Sequence, residues 1–331
     1  MSRKAGKRAL LLVILAILWW LAWSLLLPAG DERKVTVRIP LGFSAGRVGQ
    51  TLAEHGVIHS AFGFRILARL TGKGTSLKPG AYELSPAMAP LAVLDKIARG
   101  DVSARWVTFP EGFTLSQMGE RLAAAGCGRA DRFMRLTRSF GSSFRAGFSH
   151  PANLEGYLFP DTYLLPLGAS EEDVIKETLD CFERRVIGPL GAEISRSGMT
   201  LHEVITLASM IEREAKIPKD RLLISAVLRN RLRKGMLLEC DATVLYALGR
   251  HKNRVFYRDL DVDSPYNTYI YPGLPPGPIA NPGLESIKAA LRPAKVDYLY
   301  YVAAGDGSHI FSKSLEQHHQ AVNAARRRLR R

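Results

Sequence analysis

Between Arg8 and Pro28 lies an apolar run, Ala9 to Leu27, broken only by Ser24. As a helix rising 1.5 Å per residue it spans roughly 28 Å, close to the hydrocarbon thickness of a bilayer. Arg3, Lys4, Lys7 and Arg8 precede it, and Asp31 and Glu32 follow it. Bases on one flank hold that flank in the cytoplasm, so residues 1–8 read as a cytoplasmic tail and all that follows Leu27 as exported. Trp23 lies near the outer end, within reach of the interface where indoles prefer to sit. A cleaved signal peptide is the competing reading. Its apolar core is shorter, about 7–15 residues, and it ends in a small-residue cleavage site that Leu27-Pro-Ala-Gly30 matches poorly. The expectation is an uncleaved, single-pass anchor at 9–27.

The remaining chain, roughly three hundred residues, is long enough for two domains with cores of their own. Its composition, 47% hydrophobic and 23% charged, argues against disorder. The net charge of +15 invites a nucleic-acid reading. No helix-turn-helix, zinc knuckle or RNA-binding signature accompanies it, and much of the excess sits at the chain ends, as in Arg326-Arg-Arg-Leu-Arg-Arg331. An exported basic protein is better matched to anionic lipid or an anionic polymer, most of these charges read as a plain solvated basic surface, and no nucleic-acid partner is expected. Cys127, Cys181 and Cys240 are widely spaced, with no CxxC, and suggest neither a metal site nor a disulfide framework.

Residues 34–102 read as a small α+β module. Residues 35–39 alternate like a strand, and Ser44 caps a helix carrying Val48, Leu52 and Ala53. Ser60 opens a second helix with Phe62, Ile66, Leu67 and Leu70 at helical spacing. A turn into a short strand follows at 77–84, then a helix at 91–98 ending at Gly100. The module has no carboxylate–histidine cluster and no phosphate loop, so it is expected to bind or position rather than catalyse. Residues 103–331 read as a larger, mixed α/β domain. It begins with a strand at 106–109 and a helix capped by Thr114. Helices follow at 171–185 and 201–216, a short helix starts at Asp241, another lies at 286–291, and 298–302 reads as a buried strand. The segment 153–163, with three aromatics, Glu155 and Asp161, is expected to wall a groove. The turn-rich stretch 264–283 is long for a structureless loop, and its prolines suggest a rigid, functional shape.

Helix 201–216 carries the chemical candidates. Val204, Leu207, Ala208, Ile211 and Ala215 form its apolar stripe at 100° per residue, and Glu212 and Glu214 flank that stripe on opposite sides. Only one can face a given cleft. A carboxyl half-sunk against apolar neighbours favours its protonated form, the state a general acid uses. The structural alternative pairs both with Arg213, Lys216 or Lys219. A two-carboxylate hydrolase would add Glu155 or Asp241, and a non-catalytic binding scaffold is the other competitor. The histidines are scattered apart from His318-His319, and HExxH, GxSxG and a P-loop are absent, so neither metal nor cofactor is expected. Ser209, with no base nearby in sequence, reads as a packing residue.

An ordered set of short strings is more specific than any of them. Leu207-Ala-Ser-Met-Ile-Glu-Arg-Glu214, Asp241-Ala-Thr-Val244, Ser264-Pro-Tyr-Asn-Thr-Tyr269, Gly273-Leu-Pro-Pro-Gly277, Ala280-Asn-Pro-Gly283, Tyr298-Leu-Tyr-Tyr-Val302 and His309-Ile-Phe311 occur in this order. Upstream stand Leu77-Lys-Pro-Gly-Ala-Tyr82, Pro110-Glu-Gly-Phe113 and Leu154-Glu-Gly-Tyr-Leu-Phe-Pro-Asp-Thr-Tyr163. Together they resemble the YceG-like family of endolytic murein transglycosylases. The resemblance implies a LysM-like subdomain at 34–102 and a catalytic domain at 103–331. It places both on the outer, periplasmic side of the bacterial inner membrane. The implied reaction cuts nascent peptidoglycan strands at the bond between N-acetylmuramic acid and N-acetylglucosamine, leaving 1,6-anhydro ends and terminating elongation. Peptidoglycan synthases (penicillin-binding proteins) are the implied partners. The resemblance also assigns the single catalytic carboxyl to Glu214, with Glu212 as second candidate. The family pattern places Thr or another small residue after this Glu; here Ala215 stands there, without a hydroxyl. Tyr266, Asn267, Tyr269 and Glu155 are the candidate sugar contacts.

Overall fold

A computed structural model of the chain describes residues 27–40, 42–139, 143–166, 168–249 and 255–329. The expected cytoplasmic tail, and the expected anchor up to its last residue, lie outside the described residues. Among those described, no helix is long and apolar enough to cross a membrane. The fold is α+β, with small two-stranded sheets. It divides into two compact units: residues to 107 with 125–128 and 163–170, and then 108–124, 129–162 and 171 onward.

In the first unit β1 (Val35–Ile39) runs antiparallel to β2 (Gly80–Leu84), with Val35 opposite Leu84 and Ile39 opposite Gly80. Three helices complete the core: α1 (Ala45–Glu54), α2 (Ala61–Leu70) and α3 (Pro90–Arg99). The Ser44 and Ser60 hydroxyls cap α1 and α2 by accepting from the Arg47 and Gly63 N–H groups, as the sequence suggests. Gly100 ends α3 in the left-handed conformation that suits a residue without Cβ. Val37, Leu52, Phe64, Tyr82, Leu94 and Ile97 are buried together. The expected apolar stripe of α2 is rotated. Phe64 and Ala68 point inward, whereas Phe62 and Leu70 are exposed at 49% and 76%. The cause is close approach: a Cβ on Gly49 of α1 would lie 2.9 Å from the Ala61 carbonyl, so the small residues set the buried face. The short pair β3 (Ala104–Thr108) and β4 (Thr162–Pro166) follows.

The second unit is mainly helical. Its elements are α4 (Leu115–Ala124), α5 (Ala130–Ser139), α6 (Glu171–Phe182), α7 (Gly188–Arg196), α8 (Leu201–Glu214), α9 (Arg221–Arg233), α10 (Asp241–Leu248), α11 (Leu284–Leu291) and α12 (Leu315–Leu329). A π-helical turn, Glu183–Ile187, joins α6 to α7. Helix α8 is buried from Val204 through Ile211 and packs against α11, α9 and α10. A hairpin of β5 (Tyr300–Ala303) and β6 (His309–Ser312) lies under α12. Residues 298–302 were expected as a buried strand; the strand begins at Tyr300 and is only partly buried, because a two-stranded hairpin leaves one face uncovered. The expected groove wall 153–163 is also corrected. Residues 154–160 are buried, with Leu154, Tyr157 and Leu158 at most 1% exposed, so these aromatics serve the core.

Candidate active site

Helix α8 starts at a reciprocal cap. The Thr200 hydroxyl accepts from the Glu203 N–H, while the Glu203 carboxylate accepts from the Thr200 N–H at 2.7 Å. It ends at Glu214, after which Ala215 turns to extended backbone. Glu212 and Glu214 do leave the helix on opposite sides, into different surroundings. The side chain of Glu212 is 7% exposed; Oε2 accepts from the Gly283 N–H at 3.0 Å and Oε1 lies 3.5 Å from Arg221 Nη2. Glu214 Oε1 accepts from the Cys240 thiol at 3.0 Å and faces the Ala242 N–H at 3.4 Å. Burial and the nearby Glu214 charge push the Tyr301 hydroxyl well above its ordinary range. Glu214 therefore meets polar donors where the spacing suggests apolar neighbours.

The irregular chain around 276–283 is pinned along α8. His202 Nε2 bonds the Pro276 carbonyl at 2.8 Å, the Ser209 hydroxyl accepts from Ile279 N–H at 3.0 Å, and Glu212 holds Gly283. Asn281, fully buried, gathers two distant segments. Its Oδ1 accepts from the Gly156 and Leu158 N–H groups, and its Nδ2 donates to the Phe113 carbonyl and to Glu155 Oε1. Gly156 has φ of +89°, and a Cβ there would lie 2.5 Å from Pro278, so only glycine serves at this crossing.

Beside this frame opens a cleft of about 610 Å³. Tyr246, Tyr266, Leu245 and Ile279 give it apolar surface, Gln117 and Asn153 amides, and Arg138 and Arg213 positive charge. Ala242, whose N–H points to Glu214, also lines it. Tyr266 packs on Tyr246 with ring centroids 4.9 Å apart, and burial raises both hydroxyls above their ordinary range.

The candidate sugar contacts fare differently. Tyr266 lines the cleft. The Tyr269 hydroxyl donates to Asp241 Oδ1 at 2.6 Å, at the start of α10. Asn267 is fully buried, with Nδ2 donating to the Leu260 and Val262 carbonyls and Oδ1 accepting from Tyr269 N–H. It braces the loop that presents both tyrosines. Glu155 is 1% exposed and lies behind the cleft, where Oε1 accepts from Leu115 N–H at 3.0 Å and Oε2 meets the Tyr246 hydroxyl at 3.4 Å. Burial pushes its carboxyl up to about 8, against the opposing pull of the Leu115 bond, of Arg138 and of Tyr246. Sequence reasoning missed Cys240 and Tyr301. The motifs holding them were visible, but nothing in their spacing says that both converge on Glu214. Among the described residues no group of three or more His, Cys, Asp or Glu side chains is placed to hold a metal ion.

Residues 37–324 match the sequence profile of the YceG-like family. A Bacillus subtilis protein named endolytic murein transglycosylase is 37% identical over 319 residues, covering 90% of this chain and 87% of the relative. A Streptococcus pneumoniae protein of the same name is 29% identical over 325 residues, and there the match spans 59% of the relative's length. A crystal structure of a yceG-like protein from Listeria monocytogenes is similar with a TM-score of 0.60 and 38% identity, covering 88% of this chain and 99% of that one.

Proposed function

The chain belongs to the YceG-like family, and from that premise we propose that it is an endolytic murein transglycosylase with Glu214 as its acid–base group. The supporting observation is one carboxyl group at the end of a buried helix, held by two donors of which one, Ala242, lines a cleft with two tyrosines and two arginines. In the proposed reaction the protonated Glu214 donates to the glycosidic oxygen as the bond after N-acetylmuramic acid breaks. The resulting carboxylate takes the proton of that sugar's 6-hydroxyl, whose oxygen closes on the anomeric carbon. One group serves both halves because the nucleophile is part of the substrate, where ordinary glycosidases need a second carboxyl. Tyr266 and Tyr269 are the proposed sugar contacts. Glu155 and Asn267 act from behind as frame.

The same proposal includes the wider setting. Residues 34–102 act as a LysM-like, glycan-holding subdomain, and 9–27 anchor the enzyme in the cytoplasmic membrane with its bulk outside. From there it cuts nascent strands made by neighbouring peptidoglycan synthases and so ends their growth.

Digestion of purified peptidoglycan tests the chemistry. Products should carry 1,6-anhydro ends, one water lighter than hydrolysis products. General acid–base help is worth about 10²–10⁴-fold, so Glu214→Gln should fall to near background while still folding. Glu212→Gln should keep cutting at a lower melting temperature, because it disturbs the buried contact with Arg221. An inactive Glu212→Gln beside an active Glu214→Gln would move the chemistry to Glu212; reducing ends would make the enzyme a muramidase.

A further inference from the structure

The donors on Glu214 are themselves held with unusual care. Cys240 is fully buried, its N–H bonds the Thr268 hydroxyl at 3.0 Å, and its carbonyl accepts from the Thr243 hydroxyl at 2.7 Å. The preceding residue, Glu239, has φ of 52°, the one positive φ outside glycine among the described residues. Backbone strain of that kind persists only where surrounding contacts enforce it. Here the enforcing group is Arg231 of α9, itself 6% exposed. Its Nη1 donates to the Leu237 and Leu238 carbonyls and to Glu239 Oε2, and its Nε donates to the Leu299 carbonyl at 2.6 Å. Its guanidinium also lies 5.1 Å from the centre of the Tyr300 ring. One buried cation thus ties the segment that delivers Cys240 to the chain entering β5.

We propose that Cys240 is a positioning residue that orients the Glu214 carboxyl group for proton transfer, and that Arg231 holds it in register. The inference rests on Glu214 being the acid–base group. A carboxyl at a helix C-terminus gets no help from the helix, whose last carbonyls carry partial negative charge. Its orientation must come from other elements. Both located donors, the Cys240 thiol and the Ala242 N–H, meet Oε1. Burial and the neighbouring Glu214 charge both push the Cys240 thiol up, so it stays an S–H donor rather than becoming a nucleophile.

The test is steady-state cleavage of glycan strands by the full chain, with thermal melting alongside. Losing the orienting hydrogen bond should lower kcat about tenfold in Cys240→Ala, with KM unchanged. Cys240→Ser retains a donor of similar reach and should recover kcat to within about threefold of the parent. A purely structural role would lower melting without this kcat pattern and would not distinguish Ser from Ala. Full kcat in Cys240→Ala, a loss carried by KM, or a Ser variant no better than Ala would each overturn the inference. Failure of the parent itself to cut glycan, or full activity in Glu214→Gln, would instead remove the reading beneath it.

Discussion

At the scale of single residues, Glu155 shows how far burial can redirect a carboxyl group. Its folded-state pKa of about 8 lies above the ordinary 4.5, so the folded protein holds a proton there that the unfolded chain has lost. The stability this contributes is fully present below about pH 4.5 and declines as the pH rises through about 8, by up to about 1.4 kcal/mol per pH unit. Glu155→Gln mimics the neutral acid and should remove that decline. Denaturant unfolding of the two proteins at pH 5, 7 and 9 should show Gln gaining on Glu as the pH rises; parallel curves would refute it. Glu155→Ala should lose stability at every pH, since it leaves the Leu115 N–H without its acceptor. The sequence placed this residue near the site but suggested a groove contact. Which side of the wall it occupies depends on Asn281 and Tyr246, far away in the chain.

At the scale of elements, what was legible followed local chemistry. Ser44, Ser60 and Thr114 announce the helices they cap, and Thr114 indeed accepts from Gln117 N–H. Helix α8 shows its apolar stripe plainly. Helix α9 escaped notice because its buried face carries Asn230 and Arg231, which break the hydrophobic period. Both are satisfied by carbonyls at Val296, Tyr298 and Leu299, partners that no local pattern reveals. Helices α5, α7 and α12 were missed as well. The cap of α8 yields a clean test. Thr200→Ala should cost about 0.5–2 kcal/mol in denaturant unfolding. It should leave kcat on glycan intact, since Glu214 stands at the other end of the helix. A kcat loss without destabilisation would show that the helix start also guides the chemistry.

At the scale of the whole molecule, the first module contributes no residue to the proposed chemistry. Deleting 34–102 should leave residual cutting and weaken binding to isolated cell-wall sacculi. Complete loss of cutting in a folded deletion would make the module part of the catalytic apparatus. The anchor is testable in the same spirit: a reporter fused after Asp31 should be active only outside the cytoplasm, and a soluble form beginning near Gly30 would contradict it. Asn281 has a consequence of another kind, one of timing. It closes contacts with residues 113, 156 and 158, more than a hundred positions upstream. Contacts so distant in sequence form late, because long loops must close before they reward the chain. A polypeptide made from its N-terminus has its first module and most of its helices in hand before residue 281 emerges. Until then Gly156 and Leu158 lack the acceptor that ties them to the frame beside the cleft. The frame beside the cleft is thus among the last things the chain can close, and waits until synthesis is nearly done.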